Sequence, residues 1–534
     1  MAGPYRDTGG HEPAEAPRDA GIVGDVIAQF ADSHAYLREL VQNSIDAGSP
    51  SVDVEVSYER DDQRLRVAVR DRGEGMSREI IENQLLVLFR STKEKDRTKI
   101  GKFGIGFASV LSPNPEVVTV TTARAGRRLT LHLYRDLSYE LFDAGPATQS
   151  GTVVELEISM PDREVKAYRA ACEEALRRWC RHATVPIQFI DARQGEKHTT
   201  RIDRPLELEH ALVQVTRTID DGQLTVVVGV GGDQLELFNH GLMLKQEVSS
   251  LVGKGLSCKI QDARLGHTLS RDDVRRDAHF DRAIAFAREV AREALADAIS
   301  VEMRSLAADG KLAEHARLVQ ATSASDVRPA RWFLPLVEPA LGSRVLDTSQ
   351  ASGHLWVATE STAITRALAT TGAMIVHVGA EGLRPLLAPI TSCAISSVAT
   401  ELTLITPEDP SDHDEAIVAC LAEVLDKVHR KPRSILVATL EGVHADALAI
   451  CARDDGDRVV GDEDARRSPF GVLFRRVLVL SARAPAVRAA RTVTDPRVAA
   501  SHLARAILLQ YRLLDVARSQ KILDLALDHA GVST

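Results

Sequence analysis

The stretch from Glu39 to Gly106 constrains this chain more than any other. It carries three short motifs in order: Glu39-Leu-Val-Gln-Asn43-Ser-Ile-Asp46-Ala47, then Asp71-Arg-Gly73-Glu-Gly75-Met76, then Gly101-Lys-Phe103-Gly104-Ile105-Gly106-Phe107. Asp32 and Ser33 are good helix caps, and Gly48 with Pro50 is a stop signal. Between them Leu37, Leu40, Val41 and Ile45 recur at helical spacing. On that helix Glu39, Asn43 and Asp46 share one face. Such a face can offer the Asn43 oxygen to Mg²⁺ and the Glu39 carboxylate to the proton of an attacking water. The solvated side of an ordinary amphipathic helix would read the same way.

The second motif follows a hairpin. Val52, Val54 and Val56 alternate, Asp61-Asp62-Gln63 turns, and Leu65, Val67 and Val69 alternate again. Asp71 ends the second strand, where a carboxylate can accept from the amino group of a base. Gly73 and Gly75 let the backbone approach a ligand closely, although a plain turn also uses glycines. The third motif is a glycine-rich loop entering a helix, which suits phosphate oxygens. It lacks the Gly-Lys-Ser/Thr of a Walker loop. Arg90, Lys93, Lys95, Arg97, Lys99 and Lys102 cluster around it.

Together the three motifs resemble the GHKL ATPase superfamily, which contains gyrase, histidine kinases, the MutL proteins and the ninety-kilodalton heat-shock chaperones. Phe103, Phe107 and the wording of the first motif look most like chaperones of HtpG type. Gly151-Thr152-Val-Val-Glu-Leu resembles the late strand whose threonine supports the adenine site. The resemblance implies an α/β sandwich of the Bergerat type that binds ATP and Mg²⁺. By that likeness Asp71 takes the adenine amino group, with Thr152 nearby through water, while Gly75 and Met76 wall the pocket. Asp46 and Ala47 of the first motif belong to the nucleotide site, and Asn43 holds the metal. The loop of Gly101, Phe103, Gly104, Ile105, Gly106 and Phe107 takes the phosphates. Residues 90–100 form a lid carrying Lys93, and Glu39 is the catalytic base. The segment Gly266-His-Thr-Leu-Ser270-Arg271-Asp-Asp-Val274-Arg275 resembles the chaperones' segment whose arginine reaches the γ-phosphate. Arg271 falls on that arginine, and Arg275 replaces the glutamine those chaperones more often carry. A salt bridge from Arg271 to Asp272 or Asp273 would leave the same sequence.

Length and patterning set the larger frame. The expected organisation is a loose tail over 1–20, an ATP-binding α+β domain over 21–192, an α+β middle domain over 193–320, and an α/β region over 321–534. Long helices are expected at Asp281–Arg304 and Arg497–Val516. The latter is either a core helix or the homodimer interface that the resemblance implies. The net charge of −9 argues against a general nucleic-acid binder. The six cysteines form no CxxC pair and read as reduced thiols of a cytoplasmic protein. No apolar run is long enough to cross a membrane.

The activity implied is ATP hydrolysis that drives domain closure in a chaperone acting on client or partner proteins. Two alternatives stay open at this point. One is a binding module that ATP switches without hydrolysis. The other is a gyrase- or MutL-like ATPase acting on DNA, for which Lys245 is the candidate second-domain lysine.

Overall fold

The structure is a computed structural model that describes residues 33–86, 105–193, 196–268, 273–340, 342–379, 383–471 and 475–529. The expected tail at 1–20 and lid at 90–100 lie outside these residues. The chain falls into two compact units, Met1–Leu295 and Ala296–Thr534. Both mix helices and strands, in line with the α+β and α/β regions expected from the sequence.

The first unit opens with helix α1, Ala35–Asp46, followed by strands β1, Val52–Glu59, and β2, Arg64–Asp71. Then come β3, Val117–Arg124, β4, Arg127–Tyr134, β5, Tyr139–Pro146, and β6, Gly151–Ser159. Helix α2, Asp162–Trp179, precedes β7, Ile187–Arg193, and β8, Glu196–Arg201. These strands form one sheet in the order β5-β4-β3-β6-β2-β1-β7-β8. All neighbours are antiparallel except β1 and β7. Val52, Val54 and Val56 alternate into the core, as do Thr152, Val154, Leu156 and Ile158. That period of two gives the sheet one apolar face. The buried sides of α1 and α2, including Leu37, Leu40, Val41, Cys172 and Leu176, close over it. The result is the α/β sandwich implied by the family resemblance.

A second sheet in this unit has the order β12-β11-β13-β10-β9. Its strands are β9, Val213–Ile219, β10, Leu224–Val230, β11, Gln234–Asn239, β12, Leu242–Val248, and β13, Leu256–Asp262. The turn between β11 and β12 meets the first sandwich closely. A Cβ on Gly241, at φ +75°, would lie 1.7 Å from the His182 carbonyl oxygen. Leu242 is buried in the sandwich core.

A buried polar cluster ties the same junction together. Lys259 Nζ lies 3.0 Å from His182 Nε2 and 3.6 Å from the Glu236 carboxylate, which Arg181 also meets at 2.5 Å. A lysine can only donate, so Nε2 of His182 accepts and its Nδ1–H points at the Arg204 carbonyl, 3.2 Å away. Burial first, and Lys259 second, push the His182 pKa down to about 4. The unfolded chain binds this proton near pH 6.5. Unfolding is therefore favoured as pH falls from about 6.5 towards 4, by up to about 3 kcal/mol. Urea unfolding over that range should show this loss, and His182→Gln should flatten the slope. An unchanged slope in the variant would assign the pH dependence to other groups.

The expected helix at Asp281–Arg304 starts earlier, at Ala278, where the Asp277 carboxylate caps the amides of His279 and Phe280. This helix, α3, runs Ala278–Val290, and a π turn at Ala291–Leu295 ends the unit.

The second unit begins with α4, Ala296–Ala308, and α5, Leu312–Ala324. Its first sheet, β15-β14-β17-β16-β18, has a parallel run β17-β16-β18 beside antiparallel β14 and β15. Here β14 is Phe333–Ala340, β15 Ser343–Asp347, β16 His354–Ala358, β17 Ile375–His377 and β18 Ala394–Ser397. The other sheet, β21-β23-β20-β19-β22, comprises β19, Leu402–Pro407, β20, Ile435–Gly442, β21, Ala449–Ala452, β22, Val459–Gly461, and β23, Val477–Ser481. Helices α6, Asp412–Lys427, and α7, Pro496–Gln510, pack on it through Leu421, Leu425, Leu503 and Ile507. The helix expected over Arg497–Val516 therefore ends at Gln510, and its apolar side is spent on this core.

Candidate functional site

The second motif folds back over the ends of three strands. Asp71 is the last residue of β2, and Thr152 is the second residue of the neighbouring β6. Asp71 Oδ1 accepts from the amides of Gly73, at 2.9 Å, and Thr152, at 3.1 Å. Its other oxygen, Oδ2, has a weaker partner in Ser44 Oγ at 3.4 Å. The single Ser44 proton is better placed on the Leu40 carbonyl, 2.9 Å away. One carboxylate oxygen is therefore saturated, and the other lacks a good donor among the described residues. Burial raises the Asp71 pKa, opposed by the Gly73 and Thr152 amides and by Ser44.

Hydroxyls and glycines complete the corner. Thr152 Oγ1 lies 3.0 Å from Thr122 Oγ1, which accepts from the Met76 amide at 2.9 Å. Arg124 holds the Gly75 carbonyl at 3.2 Å and the Glu74 carboxylate at 2.9 Å. Gly75 has φ +69°, and a Cβ there would lie 2.0 Å from the Ala123 carbonyl oxygen. Gly75→Ala should cost about 2 kcal/mol or more of stability through left-handed strain plus overpacking. A melt within about 0.5 kcal/mol of wild type would show that this turn relaxes freely.

The first motif meets the second through Ala47. The Ala47 carbonyl accepts from the Glu74 amide at 3.0 Å, and a Cβ on Gly73 would lie 2.8 Å from the Ala47 Cβ. The helical turn Ile105–Ala108, which ends the third motif, packs against α1. Phe107 is buried in the shared core, and the Gly106 carbonyl accepts from Ser109 Oγ at 2.6 Å.

On α1, Asn43 and Asp46 are exposed while Glu39 is buried. The Asp46 pKa is raised by desolvation at the rim of a neighbouring cavity, lowered by His240 and raised again by Glu39. Glu39 Oε1 lies 4.0 Å from Arg38 Nη1.

The structure thus gathers Ala47, Asp71, Gly75, Met76 and Thr152 at one corner, and the helical turn Ile105–Ala108, which carries Gly106 and Phe107, lies against α1. Asn43, Asp46 and Glu39 line the adjoining helix. Lys93, Gly101, Phe103, Gly104 and Arg271 lie outside the described residues. Sequence reasoning missed Ser44, Thr122 and Arg124. Ser44 sits inside the first motif, and its small hydroxyl among larger apolar neighbours is the signal that could have found it.

The arrangement fits an adenine nucleotide. Asp71 Oδ2, whose partner among the described residues is the long bond from Ser44, suits an exocyclic amino group. The exposed Asn43 amide has no hydrogen-bond partner among the described residues and can give an oxygen to Mg²⁺, which takes few protein ligands. Among the described residues no cluster of three or more His, Cys, Asp or Glu could hold a metal unaided. No described helix is long and apolar enough to cross a membrane.

Comparison with known proteins agrees with this geometry. The family described as histidine kinase-, DNA gyrase B-, and HSP90-like ATPase matches residues 32–143. The chaperone protein HtpG of Treponema denticola is 28% identical over 207 residues, covering 32% of each chain. HtpG of Methylobacterium sp. (strain 4-46) is 30% identical over 199 residues, again covering 32% of each. HtpG of Rickettsia akari is 25% identical over 181 residues, which is 31% of this chain and 29% of its own. The matches span about a third of the length of these curated relatives. Over residues 32–143 the chain is thus similar to this ATPase family, and over about a third of its length it is similar to HtpG chaperones.

Proposed function

We propose that the first unit binds ATP with Mg²⁺ and hydrolyses it, and that the cycle moves the chain's domains in an HtpG-like chaperone. The observation that carries this reading is the Asp71 carboxylate, one oxygen saturated by backbone amides and the other held only by Ser44 Oγ at 3.4 Å among the described residues. Asp71 accepts from the adenine amino group. Thr152 and Thr122 hold a water beside it, and Gly75 and Met76 form the wall. Asn43 supplies one oxygen to the metal ion. The ion, when bound, neutralises charge on the phosphates. The segment from Gly101 to Gly106, with Phe103, Gly104, Ile105 and Phe107, presents backbone amides to the phosphates, and Lys93 adds charge. Glu39 takes the proton from the attacking water. Arg271 meets charge developing on the transferred phosphate. Asp46 and Ala47 border the nucleotide, and the Ala47 carbonyl keeps the end of α1 on the Glu74 amide of the Asp71 turn. The implied partners are client proteins and a second copy of the chain, and the implied compartment is the cytoplasm.

The burial of Glu39 beside Arg38 favours a second reading, a module that ATP switches without hydrolysis. Phosphate release by the purified chain separates the two. Steady release that needs Mg²⁺ supports an ATPase, and binding without release supports the switch. The DNA-acting alternative draws little support from Lys245, which is tied to Asp273 at 2.7 Å and Glu247 at 3.0 Å.

A further inference from the structure

Helix α1 is gripped on two sides within the first unit. On one side lie the strand ends that hold Asp71. On the other, Arg38, Gln42 and Asp46 line a cavity of about 100 Å³ whose opposite wall includes His240 and His267.

The position of His267 is set by the second sheet. His267 and Val274 form a β-bridge. The Thr268 amide donates to the Asp273 carbonyl at 2.8 Å, and the Arg275 amide to the Gly266 carbonyl at 2.9 Å. The Asp273 carboxylate is tied to Lys245 on β12. A Cβ on Gly266 would lie 2.9 Å from Arg275 Nη2, so the loop is closely fitted there.

From this platform His267 meets Arg38. Arg38 Nη2 and His267 Nε2 are hydrogen-bonded. The guanidinium is always a donor, so Nε2 accepts and the imidazole is neutral with its proton on Nδ1. The same guanidinium lies 5.7 Å from the centre of the Trp179 ring, and its Nη1 is 4.0 Å from Glu39 Oε1. Both side chains of that ion pair are only 9% exposed. Charges so buried are weakly screened, so where the guanidinium sits decides how the neighbouring carboxylate is held. The neutral acceptor on its far side fixes that place.

We propose that His267 is a positioning residue for Glu39, acting through Arg38, so that the second sheet sets the orientation of the base. The proposal rests on Glu39 serving as the base of ATP hydrolysis. It gives the middle region a direct hold on the reaction through described residues, separate from Arg271.

The test uses the full chain with Trp332→Phe and Trp356→Phe, which leaves Trp179 as the single tryptophan. In this background His267→Leu should lower kcat by about tenfold, the scale of a displaced catalytic group, while KM and the calorimetric affinity for ATP stay within about twofold. Trp179 emission should shift without nucleotide, because Arg38, one of two cations at its ring, is released while Arg178 stays at 4.7 Å. His267→Gln should restore both readouts, since its side-chain oxygen accepts from Arg38. Full turnover in His267→Leu, unshifted emission, a loss that His267→Gln fails to restore, or an equal loss of affinity would each overturn the proposal. Absence of turnover in the parent chain would overturn it together with the ATPase reading. Normal parent turnover with an unaffected His267→Leu overturns it alone.

Discussion

Asp71→Asn is expected to weaken ATP binding by about 10³-fold while leaving the fold close to intact. The carbonyl oxygen of asparagine can stay on the Gly73 and Thr152 amides, where Asp71 Oδ1 now sits. Its NH₂ group then takes the place of Oδ2 and can donate to Ser44 Oγ, which keeps its own bond to the Leu40 carbonyl. The folding cost should stay within about 1 kcal/mol. Binding suffers more, because a donor now faces the adenine amino group. Losing a hydrogen bond to a charged acceptor and opposing two donors costs about 4 kcal/mol, or about three decades in Kd. Wild-type affinity should also fall on acidification through the raised Asp71 pKa. The sign follows from the ionised form being the one that accepts, so a proton competes with the nucleotide. Calorimetry on both chains checks the two statements, and retained affinity in Asp71→Asn would remove the adenine assignment.

Glu39→Gln should keep ATP affinity within about threefold and lower turnover by about 10³-fold, within the range for loss of a positioned general base. Glutamine preserves size in a buried site and removes only the proton acceptor. Arg38 then loses its carboxylate partner at 4.0 Å, so a modest fall in melting temperature should accompany the loss. Single-turnover phosphate release measures the effect. A rate near wild type would place the base elsewhere.

The legible parts of this molecule are those written in local pattern. Alternating valines gave β1 and β2, and the Asp71 turn followed from its glycines. Of the lining of that turn, Thr152, 81 residues from Asp71, was legible only through the family resemblance, and Thr122, 46 residues from Met76, was not legible at all. Strand β8 reads Glu-Lys-His-Thr-Thr-Arg and sits at a sheet edge with little to bury, so no apolar alternation marks it. Helix α7 stops at Gln510 without a glycine. Arg512 adopts φ +56° instead, and the Leu513 amide closes onto the Leu508 carbonyl at 2.7 Å. Such a left-handed arginine has no sequence signature. The π turn at Ala291–Leu295 is equally silent in a run of good helix formers. The link from Arg38 to His267 spans 229 residues and became visible only in the fold.

The most direct test of the account is calorimetric titration of ATP into the purified chain with Mg²⁺ present. Saturable binding at one site per chain, competed by ADP and lost in Asp71→Asn, is the result expected. No heat of binding and no competition at millimolar nucleotide would contradict the account at its root.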